Sequence, residues 1–342
     1  MKKNKTALVI SNIGSPDSPE LKYVKIYLKE FLSDPSMIIG PSILRWTIVN
    51  FIIIPFRAKK VTEKYKTIWQ NNNSPLINYS QNLLEKLKLK LERKVDVYLF
   101  MRYGNPSIKN VIEEIKNNQY EKIVFMPLYP QYAESTTGSS LKYFFEELKK
   151  AKISTPVFFE NYFFNNVEFV NLYAKMLLLY NPNEYDLILF SFHGLPLSHI
   201  KKNHNGKDCK DFDCLNTYNK KNELCYVASC YEMTRLIMAE LKDINTKYDV
   251  SFQSSMTNKW TSPFTEETII SYADKGVKKI LITCPSFVTD CIETIHEINI
   301  EYKKKFFKHG GTKFTLVESL NDSNEWVEFI EKKIDSNIFF NN

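Results

Sequence analysis

Eight short runs of aliphatic and β-branched residues recur along this 342-residue chain, and longer amphipathic segments separate them. The runs lie at residues 7–11, 97–101, 122–126, 155–159, 187–192, 250–254, 279–283 and 313–317. Helical periodicity lies between them, at residues 75–91, 139–151, 164–179, 226–241, 266–275, 289–306 and 324–333. Strands that alternate with helices form parallel βαβ units, so the pattern predicts a doubly wound α/β fold. The strands are nearly continuous apolar runs, which is typical of sheets that helices cover on both faces.

A weak internal repeat predicts two similar domains. The strand and loop at 122–130 resemble those at 279–286, because both strands end at a proline and lead into a polar loop. Asn181-Pro182-Asn183 interrupts the pattern, and a chain of this length can bury two cores. The predicted domains are 1–180, with an apolar segment at 41–56, and 181–342, with a polar, cysteine-containing insertion at 201–230.

Charge and composition argue against two classes of protein, nucleic-acid-binding proteins and proteins that span a membrane. The chain has 46 Lys and Arg against 39 Asp and Glu, a formal net charge of +7, and its lysines are scattered. This distribution lacks the basic stripe that is typical of nucleic-acid binding. The longest apolar stretch, 46–56, is shorter than the roughly 20 residues needed to span a bilayer. No export signal precedes the first strand, so we expect a cytoplasmic protein whose six cysteines are free thiols or metal ligands.

His193 is the first candidate for catalysis. It directly follows the apolar run 187–192, and Gly194 and Pro196 force the chain to turn after it. Ligands of parallel sheets bind beyond the carboxyl ends of the strands, where a neutral imidazole can accept a proton near physiological pH. An ordinary hydrogen-bonded histidine at a strand end is the alternative. Neither a G-x-G-x-x-G motif nor a P-loop is present, so dinucleotide and nucleoside-triphosphate binding lack their usual markers.

Three glutamates form the second candidate. Glu293, Glu297 and Glu301 are spaced by four residues, which predicts one row along a helix that Thr289 or Asp290 caps. Such a row suits the escort of a divalent cation or a relay of protons. A solvated acidic face is the alternative.

The insertion contributes a third candidate, a group of cysteines within 22 residues. Cys209, Cys214, Cys225 and Cys230 follow the spacing C-x₄-C-x₁₀-C-x₄-C, which matches no common C-x₂-C pattern. Four thiols this close are candidate ligands of a [2Fe–2S] cluster or of structural Zn²⁺. Four reduced thiols are the alternative.

Motifs along nearly the whole chain resemble the ferrochelatase family, and they occur in that family's order. They are NIGSPDS (12–18), YLKEFLSDPSMI (27–38), YKTIWQNNNSPL (65–76), MRYGNPSI (101–108), LYPQYAESTTGSS (128–140), FSFHGLP (190–196), KWTSPFTEETI (259–269), VTDCIETIHEINIEY (288–302) and VESLND (317–322). The resemblance implies two similar Rossmann-like domains of the chelatase type, with the active-site cleft between them. It also implies insertion of Fe²⁺ into protoporphyrin IX with release of two protons.

The resemblance implies roles for individual residues. His193 matches the family's pocket histidine and Glu293 the carboxylate that faces it, both near the metal. The acidic path beyond matches Asp290, Glu297 and Glu301, and the pocket-lining positions match Arg102, Tyr103, Tyr129 and Trp260.

Segment 41–56 resembles the apolar lip that, in the family, lies over the cleft and meets the membrane. Its composition agrees, because it is rich in large apolar residues, among them Ile43, Trp46 and Phe51, and Arg45 and Arg57 lie beside them. We therefore expect a peripheral contact with the inner face of the plasma membrane, against the alternative of an ordinary buried helix. The alternative functions are coproporphyrin ferrochelatase, another tetrapyrrole chelatase, and a noncatalytic carrier of a tetrapyrrole or metal.

Overall fold

The computed structural model describes residues 5–92, 94–255 and 257–335, in which eight parallel strands form two sheets. The strands are β1 (Thr6–Ser15), β2 (Asp96–Gly104), β3 (Lys122–Pro127), β4 (Val157–Phe159), β5 (Leu187–His193), β6 (Lys247–Gln253), β7 (Lys279–Thr283) and β8 (Lys313–Leu316). Every run predicted as a strand overlaps one of them, so the predicted α/β class is confirmed.

Twelve α-helices accompany the strands in the described residues. They are α1 (Leu21–Ser33), α2 (Ser42–Thr47), α3 (Ile54–Ile68), α4 (Pro75–Leu91), α5 (Ile108–Asn118), α6 (Ser139–Lys150), α7 (Val167–Leu178), α8 (Leu197–Asn203), α9 (Tyr226–Glu240), α10 (Thr265–Asp274), α11 (Lys303–Lys308) and α12 (Asn324–Asp335). The start of α4 shows how local sequence sets these bounds. Ser74 accepts a hydrogen bond from the Ile77 amide, and Pro75 occupies the first helical turn, where its missing N–H costs nothing.

The two sheets repeat one topology. Their strand orders are β2-β1-β3-β4 and β6-β5-β7-β8, so the first strand of each half lies between the second and the third. The predicted internal repeat at 122–130 and 279–286 therefore contains β3 and β7, which occupy equivalent places in the two sheets. Repetition of one α/β topology is the physical origin of the weak sequence repeat.

Each sheet has its own apolar core. Val9, Phe100 and Phe125 lie in the first core, where the Phe125 and Phe144 rings are 4.4 Å apart between centroids. The second core is built around Leu189 and neighbouring aliphatic side chains that α10 and α11 help to cover. Burial of the central strands explains their nearly continuous apolar sequence.

The chain divides into two compact units. The first contains the residues up to Leu128, Glu134–Asn161 and the chain from Asn321 onward, and the second contains Tyr129–Ala133 and Tyr162–Leu320. These units differ from the predicted ranges 1–180 and 181–342. Helix α7 packs on α9 in the second unit, and α12 packs on α4 in the first. Neither long-range contact leaves a local signal in the sequence.

The segment 289–306, predicted as one helix, contains two helical types. Residues Glu293–Tyr302 form a π-helix that continues into α11, and further π-helical turns lie at Ile48–Ile53 and Glu134–Gly138. A π-helix closes its hydrogen bonds five residues apart and is common at functional sites.

Within the part of the chain that the structure describes, the apolar stretches of the helices are too short to cross a bilayer.

Candidate active site

His193 ends β5, and its backbone is held on both sides. Its amide donates to the Ser286 hydroxyl at 3.2 Å, and the Tyr226 hydroxyl donates to its carbonyl at 2.8 Å. The Tyr226 and Ser286 hydroxyls are themselves 2.8 Å apart. The half-buried imidazole lies edge-on to Phe287, with 6.0 Å between ring centroids. The fold therefore presents this imidazole from a rigid element.

The turn after His193 packs tightly on the segment that contains Trp260. The Leu195 amide donates to the Thr261 hydroxyl at 3.0 Å, and the Thr261 amide returns a bond of 2.9 Å to the Leu195 carbonyl. A Cβ at Gly194 would lie 2.6 Å from the Ser255 hydroxyl oxygen and 3.5 Å from the Trp260 ring, so glycine is required for this close approach. The half-buried Trp260 is thereby fixed beside the His193 turn.

Gln253 connects His193 with Glu293. It is the register partner of His193 in β6, and its side chain is fully buried. Its amide oxygen accepts from the Ser191 hydroxyl at 2.8 Å, and its amide nitrogen donates to the Glu293 carbonyl at 3.1 Å. A buried amide must be hydrogen-bonded, so Gln253 ties the start of the π-helix to the strand that carries His193. The sequence analysis missed this residue, although a glutamine at the end of an apolar strand was a usable signal.

The acidic residues that follow have different surroundings. Glu297 accepts hydrogen bonds from the Ser254 amide at 2.7 Å, the Ser254 hydroxyl at 2.8 Å and the Tyr302 hydroxyl at 2.6 Å. Glu301 lies 3.5 Å from the nearer nitrogen of His296. Burial, followed by the charge of Glu297, raises the pKa of Tyr302 and keeps it a neutral donor. Within the predicted row of carboxylates, Glu297 and Glu301 are thus held by different partners.

Asp290 is buried away from solvent. It accepts hydrogen bonds from the Thr294 and Ser319 hydroxyls, both at 2.9 Å, and from the Ser319 amide at 3.2 Å. These contacts fix the loop after β8 against the start of the π-helix.

Arg102 and Tyr103 form a buried network in the first unit. The guanidinium of Arg102 pairs with Asp34 and donates to the Ser139 hydroxyl at 2.7 Å, and it lies over the Tyr103 and Tyr143 rings at 4.4 Å. The Tyr103 hydroxyl donates to Asp34 at 2.8 Å, and burial raises the pKa of Tyr103. Burial acts to raise the pKa of Asp34, but the Ser139 hydrogen bond, the Ser36 amide and Arg102 lower it below its ordinary value. Asp34 and Ser139 are members of this network that the sequence analysis missed.

The structure groups the predicted site residues by unit. His193, Trp260 and Glu293 lie in the second unit around the carboxyl ends of β5 and β6. Tyr129 is buried in the same unit, and its segment is joined to the loop after β7 by the Gln131 amide, which donates to the Pro285 carbonyl at 3.4 Å.

Comparisons with known proteins identify the family of the chain. The family model described as Ferrochelatase matches residues 5–338. The chain belongs to the ferrochelatase family. A ferrochelatase of Legionella pneumophila (strain Paris) is 36% identical over 332 residues, which cover 97% of this chain and 99% of the relative. A ferrochelatase of Coxiella burnetii (strain Dugway 5J108-111) is 37% identical over 337 residues, which cover 96% of this chain and 93% of the relative.

The solved structure of SirB from Bacillus subtilis with Fe³⁺ has the same fold. Its TM-score is 0.53 at 12% sequence identity, over 98% of this chain and 97% of the other. Membership of the ferrochelatase family makes the chain an enzyme that inserts Fe²⁺, its metal substrate, into a porphyrin.

The predicted lip of this ferrochelatase is helical and exposed. It comprises α2, the π-helical turn Ile48–Ile53 and the start of α3. The side chains of Ile43, Trp46, Phe51 and Phe56 are between 53% and 81% exposed, which excludes an ordinary buried helix. Arg45 donates to the Ser33 and Gly40 carbonyls, both at 2.9 Å, so it anchors the segment to its own unit.

The cysteine-containing insertion of this ferrochelatase gathers a different ligand set from the one predicted. Cys209, Cys214 and Cys225 lie together with His204, whereas Cys230 lies outside that group. Cys230 is five residues after Cys225, which places it about 140° around α9. It is buried next to Tyr226, so the four-cysteine set is corrected to three cysteines and one histidine.

Proposed function

We propose that this chain inserts Fe²⁺ into protoporphyrin IX, with His193 as proton acceptor and Glu293 as the carboxylate next to the metal. The link through Gln253 carries the proposal, because it ties the start of the π-helix bearing Glu293 to the strand that ends at His193. A base and a carboxylate on elements joined in this way are what insertion of a dication into a porphyrin requires.

The reaction exchanges two pyrrole N–H protons for one dication. His193 accepts the two pyrrole protons one after the other and passes each to water as the metal approaches, and its backbone contacts keep the imidazole at the end of β5. Glu293 offers an oxygen ligand that Fe²⁺ accepts transiently, because a site of few ligands releases the metal to the porphyrin. Glu297 and Glu301 follow on the same π-helix and form the path for metal or protons. Contacts of Tyr129 and Trp260 in the second unit, and of Arg102 and Tyr103 in the first, with the porphyrin are predictions from the family resemblance.

One other substrate competes with this proposal. Coproporphyrin is a second porphyrin substrate for the same chemistry, and it differs in carrying more carboxylates. The alternative of a noncatalytic carrier of a tetrapyrrole or metal is set aside, because membership of the ferrochelatase family makes the chain an enzyme.

A spectrophotometric assay tests the proposal. Purified protein is supplied anaerobically with Fe²⁺ and either protoporphyrin IX or coproporphyrin, and the loss of free porphyrin is followed. We expect a higher kcat/KM for protoporphyrin IX, and a folded His193→Ala protein that binds porphyrin but loses most turnover. Preference for coproporphyrin would refute the proposed substrate. Wild-type kcat in His193→Ala would refute the proton acceptor, and binding of protoporphyrin IX without turnover would refute the proposed reaction.

The lip supports a cytoplasmic enzyme that contacts the membrane peripherally. Its exposed Ile43, Trp46, Phe51 and Phe56 present an apolar surface that suits a bilayer interface or an apolar porphyrin.

The prediction of zinc or a [2Fe–2S] cluster at the cysteines concerns a separate, resident metal.

A further inference from the structure

Four metal-ligating side chains of the insertion surround one point. One ring nitrogen of His204 and the sulfurs of Cys209, Cys214 and Cys225 all lie within 4.8 Å of one another. Cys214 is 3.4 Å and Cys209 4.0 Å from Nε2 of His204, and the Cys209 and Cys225 sulfurs are 3.8 Å apart. Four soft ligands that converge in this way are a candidate metal site in their own right.

These separations fit the edges of a tetrahedron around a single ion. Zn–S bonds of about 2.3 Å at the tetrahedral angle place two sulfurs about 3.8 Å apart, and a Zn–N bond of about 2.0 Å gives a sulfur–nitrogen edge of about 3.5 Å. A [2Fe–2S] cluster instead binds two ligands on each of two irons, which increases the distance between the two pairs of ligand atoms. In this group all four ligand atoms lie within 4.8 Å of one another, so they do not separate into two pairs.

Neighbouring groups fix the orientation of the ligands. The Phe212 ring stacks on the His204 imidazole, with centroids 4.3 Å apart and an angle of 15° between the planes. The buried Asn222 amide donates to the Cys214 sulfur at 3.8 Å and to the Phe212 carbonyl at 3.3 Å. A hydrogen bond to a ligating sulfur is typical of the surroundings of a metal site, and the stacked ring restricts rotation of the imidazole.

The part of the insertion before α9 buries its candidate ligands rather than large apolar side chains. His204, Cys214 and Cys225 are buried, whereas Leu215 is 46% exposed. A bound metal would supply folding free energy directly to a segment with so few buried apolar side chains.

We propose that His204, Cys209, Cys214 and Cys225 bind one Zn²⁺ ion that holds the insertion folded. Three thiolates and one imidazole form a closed, four-coordinate structural site for zinc, and this donor set favours Zn²⁺ over ions that prefer oxygen ligands. The site is distinct from the one for the Fe²⁺ substrate, because it offers no open position.

Elemental analysis of the full chain tests the proposal. The protein is purified anaerobically under reducing conditions without an affinity tag and dialysed against EDTA at neutral pH. We expect about one zinc per chain, no acid-labile sulfide, and at least tenfold less zinc in Cys214→Ser and Cys225→Ser. Cys230→Ser is the matched control, because it removes a buried cysteine of the same segment outside the ligand group, and it should keep the zinc.

A second measurement covers variants that fail to fold. Co²⁺ exchanged into the wild-type protein should give the intense visible absorption bands of a tetrahedral thiolate site. The His193→Ala variant is the control for Co²⁺ bound at the proposed reaction site, and it should give the same bands. Iron with equimolar acid-labile sulfide that Cys230→Ser removes would instead identify a four-cysteine cluster and overturn the proposal. A wild-type protein that binds neither zinc nor cobalt at these cysteines would overturn it as well.

Discussion

At the level of single residues, Asp34 illustrates how a buried carboxylate is kept ionised. It accepts hydrogen bonds from Ser139 and Tyr103 and pairs with Arg102, and these contacts outweigh a burial that would raise its pKa. A carboxylate whose pKa is lowered in the folded state stabilises that state above its unfolded pKa, and the contribution is lost as the pH falls through the folded pKa.

We predict that Asp34→Asn lowers the free energy of unfolding by about 1–3 kcal/mol at neutral pH, because charge-assisted hydrogen bonds are lost. The difference from wild type should shrink as the pH falls below about 4, the ordinary carboxyl pKa, and through the lowered pKa of Asp34 in the folded protein. Urea titrations at several pH values measure this difference. The exposed Asp243→Asn is the control, and a difference independent of pH would contradict the explanation.

Glu293 and Glu297 should respond differently to removal of their charge. Glu293→Gln keeps the side-chain shape but removes the charge at the proposed metal position, so kcat should fall strongly with little loss of stability. Glu297→Gln disturbs hydrogen bonds to Ser254 and Tyr302, so it should lower stability and alter the apparent KM for Fe²⁺ or the pH profile. Glu301→Gln should have the smallest effect.

Steady-state kinetics with varied Fe²⁺, together with thermal unfolding, separate these outcomes. Small and equal kinetic effects from all three variants would mean that the metal and the protons use another route.

At the level of elements, α12 depends on a buried ion pair. The Lys333 ammonium lies 2.7 Å from Glu160, and both side chains are only 4% exposed. Burial raises the pKa of Glu160 despite the opposing charge of Lys333. Lys94 also contacts α12, at Glu331 and Asp335, but these pairs are more exposed to solvent.

We predict that Lys333→Met destabilises the protein by about 3–5 kcal/mol, because it leaves the Glu160 carboxylate buried without a partner. The pKa of Glu160 should then rise further, so the variant should lose stability as the pH rises above the ordinary carboxyl range. Chemical denaturation at two pH values measures both effects. Lys94→Met should change stability far less, and an equal loss in the two variants would rule out burial as the cause.

At the level of the whole molecule, one α/β topology occurs twice, and the two units differ in what is added to it. The first unit carries the exposed lip, and the second carries the cysteine-containing insertion and the longest π-helix of the described residues, Glu293–Tyr302. The shared sheet provides rigid strand ends, whereas the additions provide the specialised surfaces.

We predict that serine substitutions at Trp46, Phe51, Ile52 or Phe56 raise the KM for porphyrin more than they lower kcat, because they weaken reception of an apolar substrate. The same variants should bind less to vesicles that contain anionic lipid in a sedimentation assay. Leu89→Ser is a matched control, since Leu89 is an exposed apolar residue of the same unit outside the lip. Unchanged KM and unchanged vesicle binding would show that the exposed lip has neither role.

The sequence by itself determined the strands, most of the helices and the α/β class, because apolar periodicity and capping act within a few neighbouring residues. It also placed His193 at a strand end, because Gly194 and Pro196 interrupt the apolar run directly after it.

Only the tertiary structure decided which distant side chains meet. Gln253 reaches the Glu293 carbonyl, Asp34 joins Arg102, and His204 replaces Cys230 beside the other cysteines. It also decided that residues 293–302 form a π-helix and that α12 returns to the first unit. These contacts form because buried polar groups must be hydrogen-bonded, and their partners come from distant parts of the chain. The spacing of residues along the sequence does not show which distant groups will meet.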